Sequence, residues 1–239
     1  MNITKLLSKR SDKPMENKIP TIAFLGDSVT QGCFELVEVG NSCDTVFDRE
    51  NAYSNHVSKI LALLYPRTQI NIINAGISGD SALGGLSRIE RDVIAYSPDL
   101  TVVCFGLNDS GGGIENIDRY KDALDKIFTK LEAIGSEIIF MTPNMMCEHG
   151  SPYNRSEISK KLSDRFSEIQ NGGVLDAYVD AAKAVANSHG IPVCDVYAKW
   201  KLLSQNGVNV TELLSNKLNH PTREMQKLFA YSLVETMMN

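Results

Sequence analysis

Five short apolar runs punctuate the chain: Thr21–Leu25 (TIAFL), Ile70–Asn74 (INIIN), Leu100–Phe105 (LTVVCF), Glu137–Met141 (EIIFM) and Ile191–Val196 (IPVCDV). Each is rich in Ile, Val or Phe and too short for an ordinary helix, so each is predicted to be a buried strand. The segments between them carry helical spacing. Leu86, Ile89 and Val93 recur at three and four residues, and Met225, Leu228, Phe229 and Leu233 form one stripe near the C-terminus. Strands alternating with helices imply right-handed crossovers and a parallel sheet covered on both faces. No linker or repeat interrupts the pattern, so residues 19–239 are expected to form a single domain behind an N-terminal arm, residues 1–18.

That arm, MNITKLLSKRSDKPMENK, is polar and basic and lacks the apolar stretch of a secretory signal. It is expected as a leader loop or short arm on a cytoplasmic protein; a secreted form with its signal removed would look the same. No apolar run approaches the roughly 18 to 20 residues of a membrane span. The 239 residues are 43% hydrophobic and 22% charged, ordinary for a globular chain. A net charge of −5 argues against nucleic acid as the main partner; the expected partner is a small-molecule or carbohydrate substrate. The five cysteines, Cys33, Cys43, Cys104, Cys147 and Cys194, show no CxxC spacing, and Cys104 and Cys194 sit inside apolar runs as buried thiols would. No metal and no cofactor is expected, and nothing in the sequence reports an oligomeric state.

Two stretches exceed an ordinary loop. Residues 33–50, CFELVEVGNSCDTVFDRE, follow the first strand and are acidic; residues 143–158, PNMMCEHGSPYNRSEI, follow the fourth. Both leave carboxyl ends of strands, where ligands bind in open α/β sheets, and are expected as pocket-shaping loops. The same edge collects chemistry. Gly26-Asp27-Ser28 follows the first strand, NAGISGDS (with Gly76 and Gly79) the second, and FGLNDS (with Gly106, Asn108 and Asp109) the third. His220, in NHPTRE, precedes a helix that could return the chain to that edge.

These residue types suit acyl transfer. A serine hydroxyl is a poor nucleophile until a base takes its proton, and histidine titrates in the right range. The oxyanion formed by attack on an ester needs preorganised donors, which the Ser28 and Gly79 amides and the Asn108 side chain could supply. Each residue alone has a plainer reading. Ser28 could cap a helix or belong to a phosphate-binding loop, Asn108 and Asp109 could be turn residues, and Gly76 and Gly79 backbone punctuation. GxGxxG and GxxxxGK[ST] patterns are absent, which counts against a nucleotide site.

Taken together, GDS, the glycine of SGDS, GLND and the histidine of NHP resemble the SGNH (GDSL-type) hydrolases, in this order and across nearly the whole chain from Ile22. The resemblance implies a three-layer α/β/α sandwich with a five-stranded parallel sheet, flavodoxin-like in layout. It implies a serine esterase acting through an acyl-enzyme, with Ser28 as nucleophile, Gly79 and Asn108 completing the oxyanion hole with the Ser28 amide, and His220 as base. Within such a family, acetyl esters of carbohydrates and the esters or thioesters of longer acyl chains are both substrates. The acidic insert at 33–50 lacks the apolar stripe of a lipid-docking lid, which favours the former.

One position departs from the family. An aspartate usually stands three residues before the histidine; here it is Lys217, and LSNKLNHP holds no carboxylate. Asn216 or a backbone carbonyl is expected to orient His220, leaving a Ser–His dyad; a fold retained for ligand binding without efficient catalysis is the alternative. Asp195, Glu212 and Glu224 lack the spacing to substitute. Asp27 is expected to support its turn, Glu224 to cap the last helix, and His189 to cap a helix C-terminus. His56 is expected in a helix, and His149 on the long fourth loop is a candidate pocket residue. Trp200 and Tyr53 are expected in the core.

Overall fold

A computed structural model describes residues 1–39 and 42–239. The strands are β1 (Thr21–Gly26), β2 (Cys33–Val39), β3 (Ser42–Phe47), β4 (Asn71–Gly76), β5 (Leu100–Cys104), β6 (Glu137–Met141) and β7 (Val193–Cys194). The helices are α1 (Asn2–Asp12), α2 (Ser28–Gln31), α3 (Tyr53–Leu64), α4 (Ala82–Asp92), α5 (Leu107–Ser110), α6 (Ile117–Ala133), α7 (Glu157–Asn171), α8 (Val174–Ser188), α9 (Val196–Gln205) and α10 (Arg223–Met238).

Five strands pair in parallel in the order β4-β1-β5-β6-β7. Side chains alternate between faces with the strand period of two. Ile22, Phe24, Val102, Cys104, Ile139 and Met141 point to one core, which α1, α3, α9 and α10 cover through Leu7, Tyr53, Trp200, Phe229 and Leu233. Ala23, Leu25, Val103, Ile138 and Phe140 point to the other, covered by α4, α6 and α8 through Ile89, Phe128 and Ala182. The result is the expected three-layer α/β/α sandwich. Four of the predicted strands match their runs to within a residue or two. The fifth shrinks to Val193–Cys194, because Asp195 caps α9 by accepting the Ala198 N–H and Val196 already lies in that helix.

Two expectations are corrected. Residues 2–12 are a helix rather than a leader loop: Ile3 and Leu7 are one helical turn apart and fully buried in the first core. The Glu137 carboxylate, at the start of β6, accepts the Asn2 and Ile3 N–H groups at 2.8 and 2.7 Å, which satisfies two of the donors a helix start leaves free. The acidic stretch after β1 is an antiparallel hairpin, β2 with β3, rather than an irregular loop. The stretch after β6 does lack regular structure until Glu157, yet Met145, Met146 and Cys147 are buried. No described helix is long and apolar enough to cross a membrane.

The register places the site. Gly26 lies level with Gly76 on one side and Cys104 on the other, so three loops leave the sheet at one height. Buried Arg88 from α4 locks that edge. It donates to the carbonyls of Gly26 (3.0 Å) and Ala75 (2.6 Å) and pairs with Asp80 (2.7 Å) and Asp92 (3.2 Å). Gly76 must be glycine, because a Cβ there would stand 2.3 Å from the backbone nitrogen of Gln31 in α2.

The burial of α1 generates a prediction. Leu7→Ala should destabilise the protein by roughly 2–5 kcal/mol, read as a lower urea midpoint at unchanged slope. A loss below about 0.5 kcal/mol, the scale of a surface substitution, would mean that α1 lies outside the cooperative core.

Candidate active site

The backbone turns sharply after β1. Asp27 caps α2 by accepting the Val29 N–H at 3.0 Å, which leaves Ser28 as the first helical residue with its side chain at the sheet edge. Asp27 is 1% exposed, and burial pushes its carboxyl up to about 7. Thr30, one turn on, bonds the Tyr53 hydroxyl at 2.7 Å and anchors α2 to α3.

His220 arrives from the far end of the chain. Its Nε2 lies 3.0 Å from Ser28 Oγ and its Nδ1 2.9 Å from the carbonyl oxygen of Phe34. The ring is 5% exposed. Burial therefore dominates its titration and holds it down at about 4; the Phe34 hydrogen bond and the more distant Glu35 charge oppose that shift without offsetting it.

Asn216 does not touch the ring. Its Oδ1 accepts the backbone N–H groups of Leu218, Asn219 and His220, each at 3.0 Å, and so builds the turn that carries the histidine. The turn needs a left-handed residue, and Lys217 supplies it at φ 57°. The Lys217 ammonium pairs with Glu212 at 3.0 Å, away from the imidazole. Below the turn, Asn144 donates to the Asn219 carbonyl (2.8 Å) and the Leu218 carbonyl accepts the Cys147 N–H (2.8 Å). This is what the buried part of the 143–158 segment does. Of the two orienting groups expected for His220, the backbone carbonyl meets the ring and the Asn216 amide does not.

The Phe34 carbonyl is free to do so because of an irregularity in the hairpin. The β2–β3 ladder pairs Cys33 with Phe47 and then resumes at Leu36 with Thr45, so Phe34 and Glu35 fall in a bulge. A bulge releases backbone groups from the ladder and re-aims them.

The remaining predicted residues converge on the same place. Gly79 sits at φ 79°, a conformation that by itself calls for glycine. Asn108 donates one amide hydrogen to the Asp80 carbonyl at 2.8 Å, which fixes the side chain and leaves its second hydrogen for the pocket. Neither the Ser28 nor the Gly79 amide meets an acceptor among the described residues. Asp109 accepts the Ala82 N–H at 2.9 Å, and burial raises its carboxyl to about 6. A cavity of about 150 Å³ opens onto Ser28, Gly79, Asn108 and His220, with Leu36, Leu162, Phe166 and Leu218 as apolar walls.

Other candidates lie elsewhere. His149 bonds Asn209 and the Gly150 carbonyl and does not line this cavity. His56 is in α3, and His189 ends α8 with its ring between Asp125 and Glu132. Glu224 stands in the first turn of α10, whose cap is Thr222. Trp200 and Tyr53 are fully buried. Residues 34–35 of the hairpin, which touch the site, were not singled out from sequence; the signal available was the cluster of strand-forming residues Phe34, Leu36, Val37 and Val39.

Comparison with known proteins gives the family and the fold. The chain is 28% identical to an acetylxylan esterase of Geobacillus stearothermophilus over 131 residues, 51% of this chain and 58% of that protein. It is 27% identical to an arylesterase of Vibrio mimicus over 108 residues (45% and 49%), and 28% identical to thioesterase 1/protease 1/lysophospholipase L1 of Escherichia coli over 102 residues (42% and 49%). The chain thus spans about half the length of the curated relatives it matches. Among solved structures, an acetylxylan esterase of Geobacillus stearothermophilus superposes with a TM-score of 0.66 at 20% identity, over 91% of this chain and 94% of that one. A two-domain esterase active on acetylated mannans gives 0.66 at 19%, over 98% of this chain and 52% of that one. At these identities the structures establish the shared fold. The model of the GDSL-like lipase/acylhydrolase family matches residues 24–228, and the chain belongs to that family.

Proposed function

We propose that this protein hydrolyses carboxylic esters of small acyl groups, with acetylated carbohydrates as its substrate class, using Ser28 as nucleophile and His220 as general base. The observation that carries the reading is what each ring nitrogen faces. A carbonyl oxygen can only accept, so the imidazole proton belongs on Nδ1, opposite Phe34. That leaves the Nε2 lone pair toward Ser28 Oγ. This tautomer can take the hydroxyl proton.

The steps follow. Ser28 Oγ attacks the ester carbon while its proton passes to Nε2. The electron pair of the C=O bond becomes the oxyanion, which the Ser28 and Gly79 amides and the free Asn108 N–H receive. Collapse breaks the bond to the alcohol, which leaves with the proton from Nε2, and an acyl-enzyme remains. Water then repeats the sequence and releases the acid.

The cavity's size suits a short acyl group, which about 150 Å³ between Leu162, Phe166 and Leu218 would seat. A wider cleft of about 360 Å³ shares Leu36 and Asn216 with it and carries Glu35, Tyr153 and Asn154, a polar setting for the alcohol portion. The names of the relatives, acetylxylan esterase and an esterase active on acetylated mannans, point the same way. A p-nitrophenyl ester series should show turnover falling beyond the acetyl and propionyl esters, and acetylated xylo- or manno-oligosaccharides should release acetate. A preference for octanoyl or longer chains would assign the site to lipid or thioester substrates instead.

Three predictions test the residue roles. Ser28→Ala and His220→Ala should each lower kcat by several orders of magnitude with the fold retained, while Asp195→Asn, Glu212→Gln and Glu224→Gln keep most activity. More than about a tenth of wild-type turnover in either alanine variant would overturn the dyad.

Asn108→Ala should lower kcat by about 100-fold or more with little change in KM, as for a donor that acts in the transition state. A change in KM alone would move Asn108 to ground-state binding.

Titration gives the third. His220 must be neutral to accept a proton, and its value is lowered, so activity is present above that value and lost as pH falls through it. The acidic limb of kcat/KM should therefore lie near pH 4. A limb at the ordinary histidine value near 6.5 would contradict the burial of the base.

A further inference from the structure

The bulge that carries the Phe34 carbonyl is gripped from outside the hairpin by Arg223, three positions after His220. Its guanidinium donates Nη1 and Nη2 to the two Glu35 carboxylate oxygens at 2.6 and 3.1 Å, and Nε to Asp48 Oδ2 at 2.7 Å. Its Cζ lies 4.4 Å from the centroid of the Phe34 ring, over the ring face. Glu35 adjoins the bulge and Asp48 follows the last residue of β3, so a single side chain grips both ends of the insert. Asp48 is fastened there a second time, since its N–H donates to the Gly32 carbonyl at 2.8 Å.

We propose that Arg223, through Glu35 and Asp48, is a positioning residue that keeps the Phe34 carbonyl on His220 Nδ1 and so takes over the orienting task of the absent triad aspartate. The inference rests on the Ser28–His220 reading above. Three features support it. The fork geometry of a guanidinium on a carboxylate fixes orientation as well as distance, which a single contact would not. The bulged backbone has no ladder partner to hold it in register, so an external hold is needed. The clamp also joins the two chain segments that must agree, because α10, which begins at Arg223, directly follows the turn that carries His220. The three side chains are part-buried at the surface rather than in either core, so their loss should cost less stability than the loss of a core residue. The clamp should therefore matter far more for catalysis than for folding.

The test compares Arg223→Met, Arg223→Lys and the double variant Glu35→Gln/Asp48→Asn with wild type on p-nitrophenyl acetate. Arg223→Met should lower kcat about 10- to 100-fold, the scale of a misplaced catalytic group, with KM within about threefold. Arg223→Lys should recover part of the loss, because it restores the charge without the fork. The double variant should resemble Arg223→Met. The downfield proton resonance of the hydrogen-bonded His220 Nδ1–H, visible in wild type, should weaken or vanish in Arg223→Met while thermal unfolding shifts by only a few degrees. A folded Arg223→Met enzyme with kcat within about twofold of wild type, or with an intact Nδ1–H resonance, overturns the proposal. Should Arg223→Met fail to fold, the double variant decides by the same two readouts. If Ser28→Ala keeps wild-type turnover, the dyad reading fails, and the resonance still reports whether the clamp holds the ring.

Discussion

The hydrogen bond from His220 Nδ1 to the Phe34 carbonyl is the contact around which the site is arranged. A buried imidazole cannot leave either nitrogen unsatisfied at low cost, and here both are engaged, one by a group that only accepts and one by Ser28. Because the acceptor is neutral, the Phe34 hydrogen bond and the Glu35 charge only partly offset the burial of a charged ring, which lowers the His220 value well below the usual histidine range. A base of this kind abstracts a proton with less driving force than one backed by a carboxylate. It gains a wider acidic range in which it is in the right form.

The parallel sheet makes that contact reachable. Gly26, Gly76 and Cys104 end level, and Arg88 spans two of those strand ends with bonds to their carbonyls, so the Ser28 and Gly79 loops share one rigid platform. The donors proposed for an oxyanion come from loops on this platform. The proposed base, His220, comes from a turn knitted by Asn216 and supported by Asn144 and Cys147. The third element, the hairpin, is an insert between β1 and α3 that brings its own backbone to the ring. Three segments distant in sequence thus each supply one chemical function, and packing at the sheet edge brings them together.

Much of this was legible in the sequence, and the reason differs by element. Buried parallel strands read as apolar runs because both faces are covered, so β1, β5 and β6 stood out, while the part-buried edge strand β4 stood out by Ile72 and Ile73. Ser28, Asn108 and His220 were legible as a set because each chemistry-bearing residue follows a strand or precedes a helix. Helix α1 was masked by its many charges, although Ile3 and Leu7 carry the one-turn spacing of a buried stripe. The hairpin was hidden by Glu35, Glu38 and Asp44, acidic residues that read as solvated loop. The Arg223 contacts could not be read locally at all, since Asp48 and Glu35 lie 175 and 188 residues away in the chain. The absence of a carboxylate at Lys217 was plain, but which group replaces it depends on a backbone carbonyl, and backbone has no sequence signature.

The most direct test of the account is the protonation state of the His220 ring in the resting enzyme, read by ¹⁵N NMR with His220→Ala used to assign the signals. The account predicts a neutral imidazole at pH 6, protonated on Nδ1 with a bare Nε2. An Nε2-protonated tautomer, or an imidazolium at that pH, would contradict it.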